Sequence, residues 1–116
     1  AQELDKTLRV FIEVNIGDEP QKHGVVPEEL GGMVELVDSM SALQLEGLMT
    51  LPPFHQEAEA SRPYFKKLAE MQDEVNRHRE RPLKELSMGM SRDYRVAIEE
   101  GATLVRLGTA IFGPRP

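Results

Sequence analysis

Residues 86–91, LSMGMS, and residues 103–113, TLVRLGTAIFG, decide the fold that this sequence predicts. Each stretch is a short apolar run followed by a Gly with a hydroxyl residue close by, Gly89 with Ser91 and Gly108 with Thr109. A segment with a helical pattern lies between them. We interpret both stretches as a strand that ends in a glycine turn, where backbone N–H groups and hydroxyls suit a phosphate. The alternative, which stays open, is that each Gly is required only for the backbone conformation of the turn and binds no ligand.

The rest of the chain alternates strands and helices in the same way. Long apolar segments rich in β-branched residues are typical of buried parallel strands, and helical stripes of apolar residues separate them. The predicted strands are Leu8–Ile16, Leu43–Leu51, Leu83–Met88 and Thr103–Leu107. The first predicted helix begins at Pro27. The second has Ser61 as its N-cap and Pro63 just inside it, and runs to about Arg79. The third runs from Ser91 to Glu100, and Ala110–Phe112 begins one more helical turn.

Each predicted helix has an inward face defined by its apolar spacing. The first stripe is Leu30, Met33, Val34, Val37 and Met40, and the second is Tyr64, Leu68, Met71 and Val75. In the third helix we expect Ala97 and Ile98 to point inward and Gly101 to follow the helix end.

The order β-α-β-α-β-α-β predicts an α/β fold with a parallel sheet and right-handed crossovers. Two architectures fit this order, a small open sheet and half of a (β/α)8 barrel. A whole barrel needs about 250 residues and eight units, whereas this chain supplies four. In both architectures ligands bind beyond the carboxyl ends of the strands, which is where the two glycine turns fall.

Arg106 lies within the fourth predicted strand. A buried guanidinium is costly unless it is paired, so the partner is either a ligand or a carboxylate such as Glu13 on the first strand. Two weaker candidates are Asn15, a turn residue or a donor at the rim of the site, and Lys22, expected in solvent.

Composition excludes several classes of function. The 116 residues carry a net charge of −6, and the cationic run Arg77–Arg81 is interrupted by Glu80 at a helix end, so a nucleic-acid surface is not expected. No apolar run is long enough to span a membrane. The absence of Cys excludes disulfides and makes the cytoplasm the expected compartment. The three His residues show no metal-ligand spacing.

The same stretches resemble the pyridoxal phosphate homeostasis protein family. The resemblance rests on VFIEVNI at 10–16, KHG at 22–24, GLMTLP at 47–52, LSMGMS at 86–91 and VRLGTAIFG at 105–113, in family order. It implies a fold-type III barrel, related to the N-terminal domain of alanine racemase, that carries pyridoxal 5′-phosphate (PLP). It also implies that Arg106 approaches the pyridine nitrogen, while Ser91, Gly108 and Thr109 hold the phosphate.

Met90 completes the predicted cofactor-binding set, because Met88 and Met90 flank Gly89 and at least one of them lines the pocket. An Arg at the ring nitrogen does not support protonation of that nitrogen, which makes the cofactor a poorer electron sink. The resemblance therefore implies a non-catalytic carrier or regulator of PLP rather than an enzyme.

The Schiff-base lysine of the family has no counterpart among Lys6, Lys22, Lys66, Lys67 and Lys84, so we expect it outside residues 1–116. We interpret the chain as a single partial domain, the C-terminal half-barrel. Four strands taken from a closed barrel leave two free edges, so we expect self-association or pairing with the N-terminal half. The alternative is the C-terminal half of a TIM-barrel enzyme, either racemase- or decarboxylase-like or acting on a phosphate substrate.

Overall fold

The computed structural model describes residues 7–17, 24–51, 57–90 and 92–106. Within them the chain forms one parallel sheet of four strands, in the order β1-β2-β3-β4. The strands are β1 (Leu8–Glu13), β2 (Leu43–Met49), β3 (Glu85–Met90) and β4 (Leu104–Arg106). The helices are α1 (Leu30–Asp38), α2 (Arg62–Asn76) and α3 (Tyr94–Glu99), and 3-10 turns at Pro27–Glu29 and Ala58–Ser61 precede α1 and α2.

The strand order in the sheet is the order in the chain. A doubly wound open sheet reverses its strand order and places helices on both faces. When successive parallel strands are neighbours, right-handed crossovers place every helix on one face, which is how a (β/α)8 barrel is built. The structure confirms the predicted α/β fold, and of the two architectures it matches a partial barrel.

The predicted stripe of α1 is confirmed for all of its residues except the last. Leu30, Val34 and Val37 are buried in the core, and Met33 packs against them. The prediction for Met40 is wrong, because the helix ends at Asp38 and the Met40 side chain is 42% exposed.

The inward face of α2 is rotated from the predicted one. Its buried residues are Phe65, Leu68 and Gln72, whereas the predicted Tyr64, Met71 and Val75 are only partly buried at the sides of this face. Ser61 precedes the helix as predicted, but its side chain makes no capping hydrogen bond. Ser61 is itself buried, in the 3-10 turn that leads into α2.

α3 is shorter than the helix predicted from Ser91 to Glu100, because it begins only at Tyr94. Ala97 is buried as predicted. The prediction for Ile98 is wrong, since its side chain is 53% exposed and Val96 takes the inward place.

Gly101 follows the end of α3 as predicted, with φ of +106°. Its N–H donates to the Ile98 carbonyl at 3.0 Å, and the N–H of Ala102 donates to the Ala97 carbonyl at 2.9 Å. This pair of hydrogen bonds is the Schellman closure that a glycine in the left-handed region provides.

The buried amide of Gln72 links α2 to two strands. Its Oε1 accepts the N–H of Leu48 at 2.9 Å, and its Nε2 donates to the carbonyls of Glu85 at 3.0 Å and Leu83 at 3.3 Å. Gln72 is 5% exposed, so these bonds satisfy a polar group that would otherwise be costly to bury. This role was not predictable from the sequence, because a polar residue in a helix is typical of a solvated face.

β2 contains a bulge beside this amide. Val10 of β1 pairs with Leu45, whereas the next residue, Phe11, pairs with Gly47, so Glu46 is the extra residue. Gly47 pairs in turn with Glu85 of β3. A Cβ at position 47 would lie 1.7 Å from the Glu85 carbonyl oxygen, so the two backbones approach as closely as they do only because residue 47 is Gly.

The two outer strands of the described sheet have free edges, since β1 pairs only with β2 and β4 only with β3. Each carries an exposed leucine, Leu8 at 59% and Leu104 at 45%. None of the helices in residues 7–17, 24–51, 57–90 and 92–106 has the length and apolar character needed to cross a bilayer.

Candidate functional site

The two stretches predicted to form one site meet at the carboxyl edge of the sheet. β3 and β4 are neighbours, and Met90, the last residue of β3, is the Cα partner of Arg106, the last residue of β4. Ser91, Gly108 and Thr109 lie outside the described residues, as do Lys22 and the predicted helical turn at 110–112. Their roles stay predictions.

Gly89 lies within β3, so the prediction that this strand ends before the glycine is wrong. Its φ is +103°, in a region that strains any other L-residue, and the register of β3 against β4 shifts between Ser87 and Met90. A Cβ at position 89 would lie 2.6 Å from the Ala97 Cβ and 3.3 Å from the Val105 Cγ1. Gly89 therefore turns the strand end and allows α3 to pack directly against it.

A short turn joins Met90 to Asp93. The Met90 N–H donates to the Asp93 Oδ1 at 2.8 Å, and the Asp93 N–H donates to the Met90 carbonyl at 3.1 Å. Asp93 is the residue before α3, but its carboxylate makes no capping bond to the helix and instead holds the end of β3. The sequence did not predict this contact, because the predicted helix began at Ser91 and so included Asp93.

Met90 can therefore contact a ligand through its side chain rather than its N–H, which Asp93 occupies. This side chain is 45% exposed at the strand end, whereas Met88 is 2% exposed and belongs to the core. Of the two methionines that flank Gly89, Met90 is the exposed one, and its contact with a ligand stays a prediction.

The first two strands end in buried polar residues. The Thr50 Oγ1 donates to the Val14 carbonyl at 2.8 Å, and the Thr50 N–H donates to the Ser87 carbonyl at 3.1 Å. Asn15 is 8% exposed, and its N–H donates to the Val25 carbonyl at 2.8 Å. Thr50 thus ties the ends of three neighbouring segments together, a positioning role that the sequence analysis did not assign.

Two cations flank Asp93 at the start of α3, Arg92 in the turn before the helix and Arg95 in its first turn. Arg92 and Arg95 are exposed on either side of Asp93 in the sequence. The Arg95 guanidinium lies 5.9 Å from the centroid of the Tyr94 ring, and hydrogen bonding to Tyr94 raises the Arg95 pKa. These arginines add positive charge next to the turn predicted to receive a phosphate. The partner of Arg106, ligand or Glu13, stays open because the structure describes only the Arg106 backbone.

A groove of about 470 Å³ lies between α1 and α2, away from the strand ends that form the predicted site. Its rim carries the ion pairs of Arg79 with Asp38 at 2.5 Å and of Arg77 with Glu74 at 2.8 Å, so two cations of the 77–81 run are paired with carboxylates. Among the described residues no group of three or more His, Cys, Asp or Glu side chains is arranged to hold a metal ion.

The model of the family described as "Alanine racemase, N-terminal domain" matches residues 1–116, the whole chain. Two similar proteins are both named "Pyridoxal phosphate homeostasis protein". One, from Aquifex aeolicus, is 51% identical over 106 residues, which is 91% of this chain and 46% of the relative. The other, from Bos taurus, is 39% identical over 112 residues, 93% of this chain and 41% of the relative. The chain spans about half the length of the curated relatives it matches.

Two solved structures of PipY from Synechococcus elongatus share this fold. The structure without PLP superposes with a TM-score of 0.86 at 32% identity and covers 97% of this chain and 53% of PipY. The structure with PLP bound gives a TM-score of 0.81 at 29% identity and covers 97% of this chain and 52% of PipY.

Proposed function

The chain belongs to the alanine racemase N-terminal domain family, and on that premise we propose that it forms the phosphate-binding half of a PLP carrier. The observation that carries this proposal is the pairing of Met90 with Arg106, which joins the two glycine-containing stretches at one end of neighbouring strands. PLP bound to PipY supports the choice of cofactor, and the name of the Aquifex aeolicus relative supports a role in PLP homeostasis.

In this proposal the phosphate is held by Ser91, Gly108 and Thr109, Arg106 approaches the pyridine nitrogen, and the exposed Met90 side chain contacts the cofactor. The described residues fit an anionic group, since Gly89 admits a helix close to the strand end and Arg92 and Arg95 lie beside the same turn. When bound, PLP supplies a conjugated pyridine ring that stabilises carbanions best with a protonated ring nitrogen. Arg106 disfavours that protonation, which is why we propose a carrier or regulator rather than a catalyst.

The double variant Ser91→Ala, Thr109→Val is expected to weaken PLP binding by at least about 10-fold, because it removes two hydroxyl hydrogen bonds to a charged phosphate. Calorimetric titration of the 116-residue chain with PLP measures this change. Titration with pyridoxal, which lacks the phosphate, is expected to give the same affinity for both proteins.

The matched control is Ser39→Ala. Ser39 follows α1 near the amino end of β2, and its Oγ donates to the Leu36 carbonyl at 2.6 Å, so PLP affinity is expected to stay unchanged. Equal PLP affinity in the double variant and the wild type would contradict the phosphate site. Racemisation or decarboxylation of amino acids by the PLP-loaded protein would contradict the carrier role and favour the enzyme alternative.

We also propose that the free edges of β1 and β4 pair with parallel strands of a second polypeptide, either another copy of this chain or the complementary half-barrel. Leu8 and Leu104 supply apolar surface on these edges, and paired edges remove the unsatisfied backbone groups. Sedimentation of the isolated chain is expected to give a dimer or larger species. A well-folded monomer at micromolar concentration would overturn the proposal.

A further inference from the structure

Arg62, the first residue of α2, binds carboxylates from two separate parts of the chain. Its Nη2 lies 2.7 Å from the Glu59 Oε2 and 2.6 Å from the Glu99 Oε1, and its Nη1 lies 2.7 Å from the Glu100 Oε2. The Nε also donates to the Glu59 Oε1 at 2.9 Å, so the contact with Glu59 is bidentate. We call Arg62, Glu59, Glu99 and Glu100 the Arg62 cluster.

The Arg62 cluster joins the 3-10 turn before α2 to the carboxyl end of α3. Hydrogen bonding to Glu59, Glu99 and Glu100 raises the Arg62 pKa, and the hydrogen bond from Arg62 lowers the pKa of Glu59. Glu99 and Glu100 lie at a helix end where the dipole disfavours negative charge. Without Arg62 the three carboxylates would repel one another, so the net effect of Arg62 is to hold α3 toward α2.

The position of α3 in turn sets the end of β3. α3 has six residues, too few to form a stable helix without packing. Its Ala97 lies against Gly89, and Asp93, directly before it, binds the Met90 N–H at 2.8 Å. A displacement of α3 would therefore move the Gly89–Asp93 turn.

We propose that Arg62 is a positioning residue for the phosphate of the cofactor, acting through Glu99, Glu100 and α3 on the turn that follows β3. This inference rests on the proposed function, because it concerns the same phosphate site. It assigns a role in ligand affinity to an ion cluster that contains none of the residues proposed to bind the cofactor. The Arg62 and Glu100 side chains are half-buried, at 31% and 20% exposure, so the loss of Arg62 is expected to affect stability as well as binding, and the comparison of PLP with pyridoxal separates the two effects.

Arg62→Gln is expected to lower the affinity for PLP about 5-fold and to leave the affinity for pyridoxal unchanged. Glu100→Gln is expected to act in the same direction, and the double variant Arg62→Gln, Glu100→Gln is expected to be no worse than Arg62→Gln alone. Calorimetric titration of the 116-residue chain with PLP and with pyridoxal gives these affinities for the wild type and for each variant. The control is Arg77→Gln, which breaks an exposed pair with Glu74 at the other end of α2 and leaves both affinities unchanged.

The outcomes separate the two proposals. Absence of PLP binding by the wild-type chain overturns the proposed function and this inference with it. Wild-type binding that Arg62→Gln leaves intact overturns the inference alone. So does an equal loss of PLP and pyridoxal affinity, which indicates general structural damage. If Arg62→Gln does not fold, the PLP and pyridoxal affinities of Glu100→Gln provide the same test. This variant removes one ion pair of the cluster and leaves those with Glu59 and Glu99 in place.

Discussion

Gly47→Ala is expected to prevent stable folding, lowering the free energy of unfolding by more than about 4 kcal/mol. The added Cβ would lie 1.7 Å from the carbonyl oxygen of Glu85 and 2.6 Å from its carbon. Both are backbone atoms, so no side-chain rotation relieves the overlap and β2 must separate from β3. Such a separation also breaks the contacts that the Gln72 amide makes with both strands. Urea unfolding followed by circular dichroism measures the loss.

Gly32→Ala is the matched control for this substitution. Gly32 lies in α1 with nothing within 4 Å of a Cβ built there, and Ala is favoured over Gly inside a helix by about 0.5–1 kcal/mol. The control is therefore expected to stabilise the protein. A Gly47→Ala variant with the wild-type unfolding midpoint would show that β2 and β3 do not approach as described.

Gly89→Ala is expected to lower the free energy of unfolding by about 2–4 kcal/mol, from backbone strain at positive φ together with overpacking. The new Cβ would lie 2.6 Å from that of Ala97, so α3 must move away from β3. Because Met90 and Asp93 move with α3, the affinity for PLP is expected to fall by a larger factor than the affinity for pyridoxal. Thermal unfolding and calorimetric titration measure the two effects.

The companion variant Gly89→Ala, Ala97→Gly separates the two causes. It removes the contact between the side chains and keeps the strained φ, so only part of the lost stability is expected to return. Full stability in Gly89→Ala alone would refute the close packing of α3 on β3, and full recovery in the companion variant would refute the contribution of backbone strain.

Periodicity in the sequence was sufficient to predict the alternation of elements, because each strand and helix buries one apolar segment or stripe. Periodicity gave wrong or missing predictions at residues whose conformation or burial depends on contacts with distant parts of the chain. Gly89 was interpreted as the end of a strand, since a glycine usually marks a turn, but the β3 ladder continues to Met90. The buried role of Gln72 was not predicted, because it depends on backbone groups of Leu48 and Glu85, which lie far away in the sequence.

The meeting of the two glycine-containing stretches at one edge of the sheet was predictable, whereas the contacts around the end of β3 were not. The rule that ligands bind at the carboxyl ends of parallel strands brought Met90 and Arg106 to the same edge, and the structure pairs them. The bond from Met90 to Asp93 was not predictable, because an acidic residue before a helix normally caps that helix. The Arg62 cluster was missed for a related reason, since its partners on α3 are 37 and 38 residues away.

The Gln72 amide has a consequence for the order in which the chain assembles. A strand pair normally completes its hydrogen bonds from its own backbone, but here the N–H of Leu48 and the carbonyl of Glu85 are joined through a helix side chain. Before α2 docks, the Leu48 N–H and the Glu85 carbonyl can bond only to water, although both bond to the buried Gln72 side chain in the folded protein. We therefore expect β2, α2 and β3 to form one cooperative unit, in which docking of the helix completes the pairing of the two strands.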